Sequence, residues 1–137
     1  MGQRARFHDH LDPAYQEWGR KYPRFPGVAE CVRLIHEHKA RGVVTDIIVF
    51  ELAEHAASCL PDLIQAFRDN PSGDVRMFLL MALEIARVPE SVEFFAEILR
   101  DRDPQYQPYA LRALKGIGTR ESRTMLWQAP HQESSTT

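Results

Sequence analysis

Apolar residues recur along this chain at steps of three and four rather than two. Over 74–87 they are Val75, Phe78, Leu79, Ala82, Leu83 and Ala86, a spacing that gathers them on one face of an α-helix. Over 89–100 the inward stripe is Val92, Phe95, Ala96 and Leu99, with Phe94 and Ile98 beside it. Asp74 is the expected N-cap of the first helix. Pro89 suits the first position of the second, where a missing N–H leaves no bond unmade. No segment alternates apolar and polar residues between turn signals, so the pattern predicts helices and no sheet.

The pattern returns every 31 residues or so. A shift of 31 carries Phe78 onto Tyr109, Leu80 onto Leu111, Ala82 onto Ala113 and Leu83 onto Leu114. It also carries Glu90-Ser91 onto Glu121-Ser122 and Phe94-Phe95 onto Met125-Leu126. Upstream, Ile47, Ile48, Val49 and Leu52 fall under Phe78, Leu79, Leu80 and Leu83, and Leu63, Ile64 and Phe67 under Phe94, Phe95 and Ile98. Each period reads as two helices whose apolar faces are hidden only when neighbouring pairs stack.

In the last unit Leu111, Leu114 and Ile117 form the first stripe, Gly116 and Gly118 stop that helix, and Thr119 caps the next. A start near Gln105 keeps Pro108 in the first turn. The second unit is 44–55 followed by 61–68, with Thr45 or Asp46 as cap and Pro61 as the second start. In the first unit, Asp12-Pro13 resembles Asp103-Pro104 as a cap with a Pro start. A loop follows over 18–26, then a helix over 28–40 with Val28, Cys31, Val32 and Ile35 facing inward. The prediction is an all-α chain, an α-solenoid of about four antiparallel helical hairpins over residues 11–129, with a flexible N-terminus (1–10) and a disordered tail (130–137).

The run Ala82-Leu83-Glu84-Ile85-Ala86-Arg87-Val88-Pro89-Glu90-Ser91, followed by Phe94-Phe95, resembles the HEAT repeat. So does Ala113-Leu114-Lys115-Gly116-Ile117-Gly118-Thr119-Arg120-Glu121-Ser122, which is similar to the short bacterial HEAT-like units also seen in phycobilisome lyases. The resemblance covers 43–128 and implies an ARM/HEAT-like superhelix that acts as a non-catalytic scaffold for another protein. Nothing marks a bilin site. HEAT-like hydroxylases hold iron with His-Glu pairs repeated along the stack, whereas this chain has only His36-Glu37 and the reversed Glu54-His55.

Composition narrows the reading. The 137 residues allow one domain. The longest wholly apolar run, 77–83, is seven residues, too short to span a membrane. No apolar stretch follows the basic start, so no secretory signal is read and a cytoplasmic location is expected. Cys31 and Cys59 are too few for a disulfide framework or a zinc site and read as reduced core thiols. His36 and His38 point to different helical faces, and His8 and His10 lie near the start. Glu51 and His55 share a face and read as a structural pair. No metal, cofactor or catalytic set emerges.

The net charge of −2 hides an asymmetry: +3 over 1–41, −7 over 42–103 and +2 over 104–137. An acidic centre disfavours a phosphate backbone as ligand and favours a protein with a basic surface. In a stack of hairpins the second helices line one surface, so Asp62, Gln65, Asp69, Glu93 and Glu97 are the expected partner contacts. Asp62 and Glu93 are repeat-equivalent, as are Asp69 and Arg100. Trp127, in the last helix with no fifth hairpin behind it, is a second contact residue, for a partner or a homodimer. The function expected is a protein-binding adaptor or scaffold. The alternative is an immunity or inhibitor protein that neutralises a basic toxin such as a nuclease, and the minor alternative is a metal-dependent HEAT-like enzyme.

Overall fold

The computed structural model describes residues 13–38 and 43–128. The expectations for 1–10 and 130–137, for the Asp12 cap and for His8 and His10 lie outside the described residues. The elements are α1 (Pro13–Lys21), α2 (Val28–His38), α3 (Val43–Asp69), α4 (Gly73–Ala86), α5 (Val92–Asp101), α6 (Gln107–Ile117) and α7 (Arg120–Gln128), with a 3₁₀ turn at Pro89–Ser91 leading into α5. There is no strand among the described residues, and the chain is an all-α solenoid.

The largest departure from expectation is α3, which joins two predicted helices without a loop. Cys59 leaves the helical region (φ −125°, ψ 27°), and the second half starts again with Pro61 in its first turn. Proline has no N–H to offer the carbonyl four residues back, so the break falls beside it. Two side chains serve a carbonyl at this corner: Ser58 Oγ and Cys59 Sγ donate to the His55 oxygen at 3.0 and 3.2 Å.

Other boundaries shift for local reasons. The N-cap of α4 is Ser72, whose Oγ accepts from the Val75 N–H, while Asp74 sits in the first turn, where its charge complements the helix dipole. Asp103-Pro104 forms a turn instead of a helix start. The Asp103 carbonyl accepts from the Tyr106 and Gln107 amides and its carboxylate from the Gln105 amide, so α6 begins at Gln107 with Pro108 still in the first turn. Thr119 caps α7 as expected, its Oγ1 accepting from the Ser122 N–H at 3.1 Å. Trp18 lies in α1 rather than in a loop; it is buried and packs on Tyr22 at 4.6 Å. Ala14, Tyr15, Trp18 and Tyr22 already carry the helical spacing.

The 31-residue period is visible in the backbone itself. Gly118 ends α6 with φ +69°, and its equivalent Arg87 ends α4 with φ +54°; each amide bonds back to the same leucine position, Leu114 or Leu83. A β-carbon is strained in that left-handed conformation by about 1 kcal/mol. Gly118→Ala is therefore expected to lower stability by about 1 kcal/mol and Arg87→Gly to raise it by about as much. Urea unfolding midpoints check both, and an unchanged pair would mean the caps do not set these ends.

The repeats stack as like on like. α4 packs on α6, α5 on α7, and α3 on both α2 and α4. One apolar cluster runs from Trp18 to Leu114 and contains Ile48, Leu52, Leu63, Leu79, Leu80, Leu83 and Phe95, all fully buried. α6 differs from its predicted stripe. Ala110, Ala113 and Leu114 are buried, whereas Leu111 and Ile117 are half-buried, because no later unit covers that side among the described residues.

Candidate functional site

The loop 22–27 determines where the surface opens. Tyr22 Oη donates to Glu30 Oε2 at 2.7 Å, and Arg33 Nε and Nη2 donate to the same carboxylate at 2.9 and 2.7 Å. The Arg33 guanidinium first, then the Tyr22 hydroxyl, holds the Glu30 carboxyl down to about 2. This network ties the loop to α2. Gly27 then takes φ +101°, a conformation that suits glycine, and turns the chain into α2.

Between α2 and the second half of α3 runs a groove of about 610 Å³. Its floor is apolar, with Val28, Ala29 and Val32 on one side and Ala66 on the other. Asp62, Gln65 and Asp69, all exposed, line the α3 side. These three fall on one helical face, and Gln65 Nε2 donates to Asp69 Oδ1 at 2.8 Å. Asp62 forms no ion pair among the described residues. Toward the end of α3, His36 Nε2 lies 3.5 Å from Asn70 Oδ1. The groove stays open because small residues meet there: Gly27, Ala29 and Ala66 leave space that larger side chains would fill.

The next junction shows the contrast. Between α3 and α5 the Phe67 ring meets Phe94 edge-on at 5.2 Å, and Arg68 bridges to Glu97 at 2.9 Å. Glu93 in turn holds Arg100 at 3.2 Å. The five candidate residues on the second helices thus divide. Asp62, Gln65 and Asp69 share one groove, while Glu93 and Glu97 lie outside it on α5, each paired with an arginine. The α2 wall was missed in the sequence because Val28 and Val32 read simply as core; the signal was the run of small residues about them. Trp127 stands on α7, 82% exposed.

His55 and the two cysteines pack within the fold. His55 stacks on Phe25 (4.3 Å, 11° between planes), and its Nδ1 donates to the Glu51 backbone carbonyl at 3.0 Å rather than to the carboxylate. Burial pushes the Cys31 thiol up to about 12 and raises that of Cys59, which favours the thiol over the nucleophilic thiolate in both. Neither forms a disulfide. Among the described residues no three His, Cys, Asp or Glu side chains converge on a metal position, and no helix is long and apolar enough to cross a membrane.

The family model of HEAT repeats matches residues 60–136, from the residue after the α3 corner onward. No curated protein and no solved structure matches the chain. HEAT repeats generally mediate protein–protein interaction and are typically non-catalytic. With helix pairs stacked in a 31-residue register and the family match spanning more than half of its length, the chain belongs to the HEAT-repeat family.

Proposed function

We propose that the chain is a non-catalytic protein-binding module whose α2–α3 groove takes a segment that is both apolar and basic. The observation that carries this reading is the groove's composition, an apolar floor edged by two carboxylates with no lysine or arginine lining it among the described residues. Asp62 and Asp69 stand seven residues apart, roughly 10 Å along the helix axis, close enough for two long cationic side chains on one segment to reach both. Each exposed ion pair contributes only about 0–1 kcal/mol. The apolar floor therefore supplies most of the affinity, and the carboxylates supply orientation and encounter rate.

The test uses a partner isolated on the wild-type chain, purified, and titrated calorimetrically. Asp62→Lys/Asp69→Lys is expected to weaken binding by about tenfold or more with the helical fold retained. Glu93→Lys/Glu97→Lys is expected to leave it nearly unchanged. Equal affinity of the wild type and the groove variant would remove the groove as the binding surface. An adaptor and an inhibitor could share this groove; whether a captured enzyme loses its activity on binding separates the two.

A further inference from the structure

α7 carries a stripe of its own. Arg120, Arg123 and Trp127 are spaced by three and four residues, so they share one helical face. All three are exposed, whereas Ser122 is buried and Met125 and Leu126 are half-buried on the side that packs on α5 and α6. Arg123 Nη1 donates to the Gly118 carbonyl at 2.6 Å, which anchors that guanidinium near the start of the stripe. Thr124, on the same face, donates its hydroxyl to the Arg120 carbonyl. Glu121 points about 100° away from Arg120 around the helix. Tryptophan with arginine is the composition of an interface anchor, and an indole 82% exposed to water has much to gain from cover.

We propose that this stripe occupies the α2–α3 groove of a second copy of the chain. Trp127 lies on the floor made by Val28, Val32 and Ala66, with Arg120 and Arg123 facing Asp62 and Asp69. The proposal rests on the groove being the binding surface and names its occupant. Two carboxylates line one surface and two guanidinium groups the other, so the charges complement each other. At about 610 Å³ the groove has room for a tryptophan side chain, and it is open to solvent along its side. The groove belongs to the first two units and the stripe to the fourth. Each copy offers one groove and one stripe, so copies can pair reciprocally as a closed dimer or associate head to tail.

Sedimentation of the full chain at rising concentration tests this. The wild-type average mass is expected to climb above the 15.8 kDa of one chain and to fall again with added salt. Trp127→Ala is expected to weaken association by about 30-fold, as loss of a buried tryptophan anchor does. Asp62→Lys/Asp69→Lys is expected to weaken it by about tenfold or more, as for any basic segment in the groove. The decisive sample mixes these two variants, of which one keeps an intact groove and the other an intact stripe. One compatible contact remains, so the mixture is expected to stop at a one-to-one dimer. A wild type that stays monomeric at millimolar concentration, or a mixture that stays monomeric while the wild type associates, overturns the proposal. A Lys/Leu amphipathic helical peptide separates this failure from failure of the groove. If a monomeric wild type binds the peptide and the Asp62/Asp69 variant does not, the self-contact alone is wrong; no binding by either discards the groove as well.

Discussion

Leu80→Asp is expected to unfold the stack. Leu80 is fully buried in α4, the helix that packs on both α3 and α6. The substitution loses about 1.5–3 kcal/mol of apolar burial. It also forces a carboxylate into the core, where an unpaired charge costs several kcal/mol more or must take up a proton. The sum is comparable with the roughly 5–15 kcal/mol that holds a domain together. Leu111, the equivalent residue one period later, is half-buried, so an aspartate there keeps access to water. Leu111→Asp is expected to cost about 1–2 kcal/mol and to leave the helices formed. Circular dichroism melts of the two variants check the contrast. A normal melting temperature for Leu80→Asp would show the α4 register to be wrong.

Phe67→Ala is expected to cost about 3–5 kcal/mol, the usual loss for a buried phenylalanine. Its ring meets Phe94 and Tyr106 edge-on, at 5.2 and 5.6 Å, and the Arg76 guanidinium lies 4.7 Å from its centre. Arg76 Nε also donates to the Phe67 carbonyl at 2.8 Å, which fixes the cation where the ring needs it. One side chain thus joins α3 to the two units that follow. Neighbouring units in a solenoid are coupled only through such joints, so the variant is expected to lose cooperativity as well as stability. Trp18 is buried near the start of the stack and Trp127 is open to water, so fluorescence follows mainly the N-terminal units while circular dichroism follows all of them. The two urea curves are expected to coincide in the wild type and to separate in Phe67→Ala. Coincident curves with a loss below about 1 kcal/mol would mean that the joint lies elsewhere.

The fold was legible because its core positions recur. Leu83 and Leu114 serve the same purpose 31 residues apart, and the matching ends at Arg87 and Gly118 follow from that register. The corner at Cys59 was not legible. Pro61 announced a new start, but one residue in a non-helical conformation needs no turn signature, so a loop was expected where none exists. Asp103-Pro104 misled in the opposite direction, since a cap residue before proline suits a turn as well as a helix. At the site, the acidic character of the second helices could be read directly, but its division could not. The Arg68–Glu97 pair crosses from one helix to another, and repeat alignment carries no information about which charges meet across such a gap. The groove itself arises from absence of bulk at Gly27, Ala29 and Ala66, and small residues leave little imprint on a hydrophobic pattern.

The loop-free corner in α3 has a consequence for how this chain tolerates change in length. An α-helix turns about 100° for each residue. One residue inserted just after Cys59 would rotate everything beyond it by that angle unless the corner itself reshaped. Leu63 and Phe67 would swing out of the interior, and Asp62 and Asp69 would leave the surface they now edge. The segments 22–27, 70–72 and 102–106 lie between helices, where an added residue rotates no helix about its own axis, whereas at the corner it would. Among the described residues, length variation between homologous chains should therefore gather in such connections and spare residue 59.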